Sequence, residues 1–325
     1  MRGEASVAVV IPSWNTLEFL PRCLDSVRER QGEIELLVVD NGSSDGSIEY
    51  LREAGVAHVP LPENVGFAAA VNLGVSQTSA ESILVLNADT LLEPGCVERL
   101  HEALAGDASL GGVQPRILQL EGEHAAPPAA DEARLYSVGQ ALTRDGRAFE
   151  KGAGERQRGE HRRGQEVFGV CGAACLLRRE LFVRLGGYDE RYFAFYEDVD
   201  LNVRARIAGW RFAYVPEGVV WHVGNAAWSS GFQRPAADNA KLVARNRLAT
   251  QIKFMPWTSV PRIVAVEAGS LFRAGRERRL GATLAGKLAA LGCWAPRLIE
   301  ERRRLRRSGD PRRAVRWLGA EAGNP

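Results

Sequence analysis

Three carboxylates lie within four positions of this chain: Glu197, Asp198 and Asp200. They follow the aromatic-rich segment 192–196 and begin a stretch of helical character that ends at Gly209, a residue type typical of helix C-caps. The free N–H groups and the dipole of a helix N-terminus favour anions, so these acids can stay ionised beside aromatic surface. An ionised carboxylate held in this way can act as a positioned base, whereas helix capping with solvated charge explains the same pattern without chemistry.

The first half of the chain alternates strand and helix patterns, which predicts an α/β fold with a mostly parallel sheet flanked by helices. Strand patterns cover 7–11, 34–39, 56–60 and 83–86, and helical patterns cover 17–27, 48–53 and 68–77. Asp40 follows the second of these strands, and Asn87-Ala88-Asp89 follows the last. Functional groups of open α/β sheets collect at the carboxyl ends of the strands, so the sequence predicts a site at this edge.

The second half has weaker patterns. Residues 121–165 are rich in Gly, Pro, Ala and charge, and we expect a mobile, surface-exposed loop there, interrupted by a short element near 135–142. Two short strands are predicted at 211–215 and 219–222, followed by a helix over 238–254. Arg- and Ala-rich amphipathic helix is expected from there to the end.

Charge is distributed unevenly along the chain, although its formal net charge is only +2. Residues 262–325 contain 15 Lys and Arg against 6 Asp and Glu, a net charge of +9, so residues 1–261 carry −7. Basic segments such as 302–307 interleave with Leu and Trp, as in helices that lie on anionic membranes, but a solvated helical face explains them equally well. The acidic body argues against nucleic-acid binding.

Composition is that of a globular protein: 325 residues, 45% hydrophobic and 25% charged. No signal-peptide pattern precedes the first strand, and no stretch reaches the ~18 uninterrupted apolar residues that span a bilayer. The five cysteines lack framework spacing, which predicts reduced thiols and a cytoplasmic setting. Cys171 and Cys175 have no second pair to complete a metal site, so we expect buried packing thiols.

Seven short motifs occur together in the first 224 residues. They are 10–15 (VIPSWN), 38–46 (VVDNGSSDG), 64–68 (NVGFA), 86–89 (LNAD), 186–189 (GGYD), 196–201 (YEDVDL) and 222–224 (HVG). Each is weak alone, but in this order and spacing they resemble an inverting glycosyltransferase of family 2 with the GT-A fold. Within that family they resemble the rhamnosyltransferase-like branch that builds bacterial surface polysaccharides.

The resemblance implies a domain division. A GT-A catalytic domain would occupy 1–235, with a nucleotide-sugar-binding half over 1–110 and an acceptor half over 111–235. A helical, basic, amphipathic extension would follow over 236–325. The acceptor would be a surface-polysaccharide or polyprenol-linked glycan, which suits a cytoplasmic enzyme that is peripheral on the inner face of the membrane.

The donor implied by the resemblance is a nucleotide diphosphate sugar, with dTDP-rhamnose as the first expectation and UDP-linked hexoses as the alternative. Asp40 would accept a hydrogen bond from a pyrimidine N3–H, although an Asx residue that begins a turn is the other reading. The further donor-binding residues are Pro12, Trp14 and Asn15 at the base, Asn64, Gly66 and Asn72 beside the ribose and diphosphate, and Asn87 and Asp89.

A divalent cation, Mn²⁺ or Mg²⁺, would neutralise the diphosphate, and Asp89 is the best oxygen ligand for it. The family's usual motif is Asp-x-Asp, whereas Asn87 occupies its first position here, which leaves one carboxylate fewer on the metal. His222 resembles the histidine that completes the metal site in relatives, and manganese accepts imidazole more readily than magnesium does. A lone histidine after a strand is also commonly structural.

Inverting transfer needs one base to deprotonate the acceptor hydroxyl and no protonated acid, because the metal stabilises the leaving group. The resemblance assigns the base to Asp198, with Glu197 orienting it or contacting the acceptor. The pair Arg245-Asn246 also recurs in such enzymes, and we expect it near the donor phosphates or the membrane.

Three other classes of protein are alternatives. A nucleotidyltransferase would carry a Gly-rich, basic phosphate loop after the first strand, and a dinucleotide oxidoreductase would carry G-x-G-x-x-G there. The segment 11–16 has neither pattern. A non-catalytic sugar-nucleotide or membrane-binding module would tolerate loss of Asp89 or Asp198, and both are present.

Overall fold

The computed structural model describes residues 6–28, 34–121, 126–129, 132–223, 236–311, 313 and 316–317. Several predicted features lie outside these residues. They are Gly224 of the last motif, the domain boundary at 235, parts of the loop 121–165 and the end of the tail.

The amino-terminal half forms the predicted α/β layer. Its four parallel strands are β1 (Val7–Ser13), β2 (Ile34–Asp40), β3 (His58–Pro60) and β4 (Ser82–Leu86), in the spatial order β3-β2-β1-β4. The connecting helices are α1 (Leu20–Arg28), α2 (Ser47–Glu53) and α3 (Phe67–Ser76). Along β1, Val9 and Ile11 enter one hydrophobic core cluster and Val10 enters a second one, as expected for side chains that alternate across a strand.

The sheet continues beyond β4 in the order β11-β6-β12-β10. The elements of this half are β5 (Thr90–Leu92), α4 (Cys96–Gly106), β6 (Leu110–Gln119), β7 (Leu135–Ser137), β8 (Gln140–Leu142), β9 (Ala148–Glu150), β10 (Gln165–Val167), β11 (Ala174–Arg178), α5 (Arg179–Arg184), α6 (Glu197–Ala208) and β12 (Arg211–His222). β11 is antiparallel to both of its neighbours, whereas β12 is parallel to β6. The prediction of a mostly parallel sheet is confirmed.

Two predictions for this half are wrong. The strands predicted at 211–215 and 219–222 are one strand, β12, whose register against β6 shifts between Val215 and Val219. Pro216 in that interval has no N–H to donate, so the chain bulges and then resumes the same ladder.

The second correction concerns the exposed loop predicted over 121–165. It contains β7, the β8–β9 hairpin and a 3₁₀ turn at Gly159–Arg162. Leu135, Val138 and Leu142 are buried. The short element expected near 135–142 is present as β7 and β8, but the pattern of three-residue strands is too short to define their bounds or to reveal β9.

The carboxyl-terminal part is helical, as predicted. It comprises α7 (Ala236–Phe254), α8 (Val260–Arg276), α9 (Leu280–Ala289), a π-helical turn (Ala290–Trp294) and α10 (Ala295–Ser308). α9 packs closely on α7, because a Cβ on Gly286 would lie 2.2 Å from the carbonyl oxygen of Lys241. Among the described helices, none combines the length and apolar character needed to cross a membrane.

Buried ion pairs join these helices to the rest of the protein. Lys253 Nζ, 3% exposed, lies 2.6 Å from Asp200 Oδ1, 3.3 Å from Asp189 Oδ2 and 3.1 Å from Glu301 Oε2. Arg204 Nε pairs with the other oxygen of Asp200 at 2.5 Å. Asp200, the third acid of the sequence motif, therefore stabilises the packing of α6 against α7.

Candidate active site

A cavity of about 430 Å³ opens at the carboxyl ends of the parallel strands. Eight of the predicted site residues line it: Pro12, Trp14, Asn64, Asn87, Asp89, Glu197, Asp198 and His222. The structure therefore brings together two acidic motifs that are more than a hundred residues apart in the chain. Asn15, Asp40, Gly66 and Asn72 are not among the lining residues.

Asp89 and His222 meet because the strands that carry them pair. Thr90, the first residue of β5, pairs antiparallel with His222 at the end of β12, and Val223 N donates to Asp89 O at 3.1 Å. His222 Nε2 lies 3.1 Å from Asp89 Oδ1 and 3.4 Å from Asn87 Nδ2. The rings of Tyr136 and His222 pack in a T-shaped arrangement, with their centroids 4.4 Å apart.

The donor atoms of this pair suit a divalent cation. Two adjacent ligands of an octahedral ion, each ~2.1 Å from it, are about 3 Å apart, close to the separation of Asp89 Oδ1 and His222 Nε2. A carboxylate oxygen with an imidazole nitrogen favours manganese over magnesium. Asn87 adds a neutral amide where a second carboxylate would stand, so the other ligands of an ion held here would have to come from outside these three residues.

Asp198 occupies the first turn of α6, as predicted, and three N–H groups donate to it. Gly172 N and Gln140 Nε2 each donate to Oδ2 at 3.0 Å, and Val199 N donates to Oδ1 at 2.7 Å. Burial raises the pKa of Asp198, and these hydrogen bonds act against that rise by favouring the ionised form. The carboxylate is thus held in a fixed orientation while remaining able to accept a proton.

Glu197 is the more deeply buried neighbour, 6% exposed. Burial, and then the charge of Asp198, raise the pKa of Glu197 well above its usual range. Its Oε2 has no hydrogen-bond partner in the part of the chain that the structure describes. The two adjacent acids therefore differ. Three N–H donors favour the ionised form of Asp198, whereas burial favours the neutral form of Glu197, whose Oε2 has no partner among the described residues.

Two residues that the sequence did not single out complete the acidic part of the cavity. Gln140 and Glu150 are register partners in the β8–β9 hairpin, and Gln140 Nε2 donates to Glu150 Oε1 at 3.2 Å as well as to Asp198. Asn202 Nδ2 donates to Gln140 Oε1 at 2.8 Å, so the Gln140 amide must turn its NH₂ toward the two carboxylates. The Asp145-Gly146 pair between the strands was the available hairpin signal.

Glu150 belongs to a compact group with Asp198 and Cys171, whose ligand atoms all lie within 4.8 Å of one another. Burial, and then the charge of Asp198, raise the pKa of Glu150 to about 7. Burial also raises the pKa of Cys171, so its sulfur stays a protonated thiol. Because Gln140 already bridges the two carboxylates, this group is better described as a hydrogen-bonded acid pair than as a metal site.

The remaining predicted donor residues lie just outside the cavity. Asp40 is fully buried. Its Oδ1 accepts from Ser43 N, three residues on, at 2.9 Å, as a residue that begins a turn can, and its Oδ2 has no partner among the described residues. Asn15 Oδ1 accepts from Ser44 N at 2.8 Å. Both residues therefore stabilise the loop after β2, which forms one wall of the site.

Gly66 and Asn72 hold the opposite wall. A Cβ on Gly66, whose φ is +96°, would lie 2.7 Å from Phe193 O, so glycine allows the segment before α6 to approach α3. Asn72 joins the same two regions, because its Nδ2 donates to Tyr188 O at 2.9 Å and its Oδ1 accepts from Tyr188 N at 2.9 Å.

The segment before Glu197 and Asp198 has an uncommon backbone. Phe193, Phe195 and Tyr196 all have positive φ, between 66° and 68°, a conformation that costs a non-glycine residue about 1–3 kcal/mol. Asn246 of α7 is fully buried, and its Nδ2 lies 2.8 Å from the carbonyl oxygens of Tyr192, Ala194 and Phe195.

Its neighbour Arg245 donates to the carbonyl oxygens of Arg191 and Tyr192. The pair Arg245-Asn246, expected near phosphates or membrane, instead fixes the loop that presents Glu197 and Asp198. Tyr192 is fully buried and packs against Trp294. It is therefore an anchor of the loop.

The cysteines expected to be reduced include four whose side chains are described, Cys23, Cys96, Cys171 and Cys175, and all four are free and buried. Burial raises the pKa of Cys23 to about 12, which leaves it unreactive at neutral pH.

Known proteins resemble this chain in sequence. The sequence model of Glycosyl transferase family 2 matches residues 8–186, more than half of the chain. The N-acetylglucosaminyl-diphospho-decaprenol L-rhamnosyltransferase of Mycobacterium tuberculosis is 30% identical over 232 residues, covering 66% of this chain and 74% of that protein. An N-acetylglucosaminyltransferase of Mesorhizobium japonicum is 28% identical over 231 residues, covering 66% of this chain and 50% of that protein.

Solved structures show the same fold at low sequence identity. GalNAc-T7, crystallised with UDP, GalNAc and Mn²⁺, superposes with a TM-score of 0.62 at 15% identity, covering 83% of this chain and 52% of that one. Residues 1–349 of S. aureus TarS, in complex with UDP-GlcNAc, superpose with a TM-score of 0.53 at 11% identity, covering 87% and 91%. The chain has the GT-A fold, belongs to glycosyl transferase family 2 and is a glycosyltransferase similar to the family's rhamnosyltransferases.

Proposed function

We propose that this chain is an inverting glycosyltransferase that moves L-rhamnose from dTDP-rhamnose to a hydroxyl of a lipid-linked glycan. The observation that carries the proposal is the meeting, in one cavity, of the Asp89–His222 pair with the hydrogen-bonded Asp198 carboxylate. The Asp89–His222 pair is suited to a metal-bound diphosphate, and the Asp198 carboxylate is suited to act as a base. The choice of sugar is supported by similarity to an L-rhamnosyltransferase.

On the donor side, we assign Pro12, Trp14 and Asn64 to contacts with the nucleotide. The unpartnered Oδ2 of Asp40 supports its role as acceptor for a pyrimidine N3–H. Asn15, Gly66 and Asn72 are engaged in contacts within the protein, so we assign them to shaping the donor pocket.

A divalent cation fits between the donor and the protein, with Asp89 and His222 as its protein ligands. When bound, it would neutralise the diphosphate and so stabilise the leaving group. Asn87 lies beside this pair and can orient a diphosphate oxygen with its amide.

The chemical step assigned to Asp198 is removal of the proton from the acceptor hydroxyl. The acceptor oxygen then bonds to the anomeric carbon as the bond from that carbon to the diphosphate breaks, on the opposite face of the sugar. One displacement inverts the anomeric configuration, and the proton remains on Asp198 Oδ1 or Oδ2. The Gly172 and Gln140 donors keep the carboxylate in place before the acceptor arrives.

Glu197 and Glu150 flank this base. We assign Glu197, with its free Oε2, to a hydrogen bond with the acceptor sugar. Glu150, whose pKa is raised to about 7 by burial and by Asp198, is able to donate a hydrogen bond to the same sugar at neutral pH.

The division into a donor half over 1–110, an acceptor half over 111–235 and an extension over 236–325 is part of the proposal. It is supported by the origin of the cavity walls: the strand ends of β1 and β4 on one side, and the hairpin β8–β9 with α6 on the other. We propose that the enzyme works in the cytoplasm at the inner membrane face, where a polyprenyl diphosphate-linked acceptor is presented.

The alternative donor is a UDP-linked hexose, because UDP-GlcNAc is the ligand of a protein with the same fold. A direct comparison decides between them: calorimetric titration of the full chain with dTDP-rhamnose, UDP-GlcNAc and GDP-mannose, each with and without Mn²⁺. Metal-dependent binding of dTDP-rhamnose, followed by its conversion to a product of opposite anomeric configuration by NMR, supports the proposal. Preference for a UDP sugar overturns the donor assignment, and retention of configuration overturns the mechanism.

If no donor binds or reacts, in the presence or absence of a lipid-linked acceptor, the chain would be a non-catalytic module. Against that alternative stand the intact Asp198 carboxylate and its three donors, which a binding protein would have no reason to keep in this geometry.

A further inference from the structure

Exposed large hydrophobic side chains are concentrated on two carboxyl-terminal helices. Of the eleven such side chains among the described residues, eight lie within the segment 257–291. We call these eight the outer apolar face: Trp257, Val260, Val264, Phe272, Leu280, Leu284, Leu288 and Leu291. Single exposed hydrophobic residues are ordinary on a soluble protein, whereas a cluster of this kind marks a surface that binds something.

α9 exposes leucines and buries a lysine, unlike an ordinary surface helix. Leu280, Leu284 and Leu288 recur every four residues on one side and are 44–59% exposed. Thr283 and Lys287, three residues after Leu280 and Leu284 and therefore on an adjoining side of the helix, are 6% exposed and face the protein. A helix that packed only to complete this fold would bury its leucines and expose its lysine.

Specific contacts hold α9 in this orientation. Lys287 is paired with Glu267 of α8, which also accepts from Arg247 of α7 at 2.8 Å. On the same side of the helix, Gly286 fits against the backbone of Lys241. The outward leucines are therefore a consequence of built polar contacts on the inner side and not of loose packing.

α8 extends the same surface. Val260, Val264 and Phe272 lie four and eight residues apart, on one side of the helix, and Phe272 is 70% exposed. Trp257, immediately before α8, is 66% exposed. A tryptophan and a phenylalanine beside a leucine row are typical of helices that lie in a membrane interface.

The charges around the outer apolar face are almost all positive. Over 257–299, six arginines are exposed and one acidic residue, Glu277, is exposed. The arginines are Arg262, Arg273, Arg276, Arg278, Arg279 and Arg297. This combination of apolar side chains with surrounding arginines matches an anionic lipid surface. A second copy of the chain would bring the same arginines together, so self-association is disfavoured.

We propose that the outer apolar face is a docking surface for an anionic lipid bilayer, with its apolar side chains at the acyl boundary and its arginines at the phosphate groups. The face lies one helix away from the active site, because α7 carries α9 and also contributes Leu242 and Val243 to the cavity wall. The presentation of a lipid-linked acceptor to that cavity rests on the proposed function; the docking itself does not.

The test is vesicle flotation of the full chain. We expect binding to phosphatidylcholine vesicles that contain about 30% phosphatidylglycerol, and binding that is several-fold weaker without the anionic lipid. The double variant Leu284→Glu, Leu288→Glu should lose at least about tenfold in anionic-vesicle binding, since two acids replace the centre of the apolar row. Val183→Glu is the matched control, because Val183 is 62% exposed on α5 and lies outside the face.

Because both leucines are exposed, the double variant should keep the melting temperature of the unmodified chain. Equal vesicle binding by the double variant and the unmodified chain would overturn the proposal, as would failure of the unmodified chain to bind either vesicle. Light scattering tests the alternative that a second copy of the chain binds this face. If the unmodified chain is a dimer and the double variant a monomer, the face binds a second copy and the proposal is overturned.

A separate readout distinguishes docking from catalysis. Release of nucleotide from dTDP-rhamnose or UDP-GlcNAc, with a water-soluble short-chain analogue of a diphosphate-linked N-acetylglucosamine lipid, should be equal in the double variant and the unmodified chain. Vesicle binding without nucleotide release in either protein would leave docking standing and count against the proposed function. Nucleotide release without vesicle binding would support the proposed function and overturn the docking proposal.

Discussion

The side-chain amide of Gln140 donates to Oδ2 of Asp198 at 3.0 Å. The contact joins residues 58 positions apart, one in the β8–β9 hairpin and one in the first turn of α6. Asn202, one turn further along α6, fixes the amide from its other end. The hairpin is therefore part of the apparatus that orients the proposed base.

Gln140→Leu removes this donor while keeping a side chain of similar size. The N–H group favours the ionised form of Asp198, so its loss should raise the pKa of that carboxylate. We expect the acidic limb of the kcat/KM profile to move to higher pH, with activity at neutral pH reduced about tenfold and the donor KM unchanged. Gln77→Leu, an exposed substitution just after α3, is the control. A rate that falls equally at every pH would mean that Gln140 has only a structural role.

Asp198→Asn removes the proposed base without changing the size of the side chain. Transfer should fall by about 10²–10⁴-fold, the usual contribution of a general base, because the amide cannot accept the acceptor proton. Donor binding measured by calorimetry should stay within about twofold, since the donor residues lie on other elements. Asp25→Asn, on the exposed side of α1, should change neither quantity. Retained turnover in Asp198→Asn would remove the residue from its assigned role.

The sequence predicted the parallel half of the fold well because its strands are long enough to show their patterns. Val7–Ser13 and Ile34–Asp40 are seven-residue strands, and their carboxyl ends carry the motifs that line the site. The acids of α6 were found for a related reason: three carboxylates before a helical stretch with a glycine at its end form a local signal.

The parts that the sequence did not reveal depend on contacts between distant residues. Gln140 and Glu150 lie in three-residue strands within a segment of loop-like composition, and only the folded hairpin brings them to Asp198. The role of Asn246 was missed because nothing local shows that an amide on α7 bonds to carbonyls fifty residues earlier. Such pairings are settled by tertiary packing and not by periodicity.

His222→Ala tests the metal site through binding as well as activity. Removal of the imidazole leaves Asp89 as the one remaining member of the pair, so the affinity for Mn²⁺ in the presence of bound nucleotide should fall at least about tenfold. Calorimetric titration of Mn²⁺ into the nucleotide-saturated protein measures this directly. His58→Ala, in β3, is the matched control. Equal activity in chelator and in added manganese would exclude a metal role for both Asp89 and His222.

Glu150→Gln should change how stability depends on pH. The pKa of Glu150 is about 7 in the folded protein, against 4.5 ordinarily, because of burial and the charge of Asp198. The side chains of Cys171 and Tyr136 also lie near the Glu150 carboxyl. A raised pKa means that folding favours the protonated carboxyl. Its stabilising contribution is full below pH 4.5 and is lost as pH rises through 7.

Glutamine does not titrate, so the stability of Glu150→Gln relative to the unmodified chain should increase between pH 5 and pH 8. We expect an increase of about 1–2 kcal/mol, which is less than the full equivalent of the pKa difference because the side chain is partly exposed. Urea unfolding at the two pH values measures it, and Glu49→Gln, on the exposed side of α2, should show no such change. A difference that is independent of pH would show that Glu150 does not titrate in this range.

Asn246→Ala removes the amide that bonds to the carbonyl oxygens of Tyr192, Ala194 and Phe195. The positive-φ residues of this loop are held against their backbone preference, so loss of the amide should let the loop relax and displace Asp198. We expect a loss of about 2–3 kcal/mol of unfolding free energy, from the unsatisfied buried carbonyls, and a fall in kcat of about tenfold or more with donor binding retained. Thr250→Val is a useful comparison, because it removes a hydrogen bond from the same helix to the Tyr192 hydroxyl without touching the loop carbonyls. If both variants lost the same stability and neither lost kcat, α7 would support the fold without positioning Asp198. A loss of kcat in Asn246→Ala alone would show that Asn246 positions Asp198.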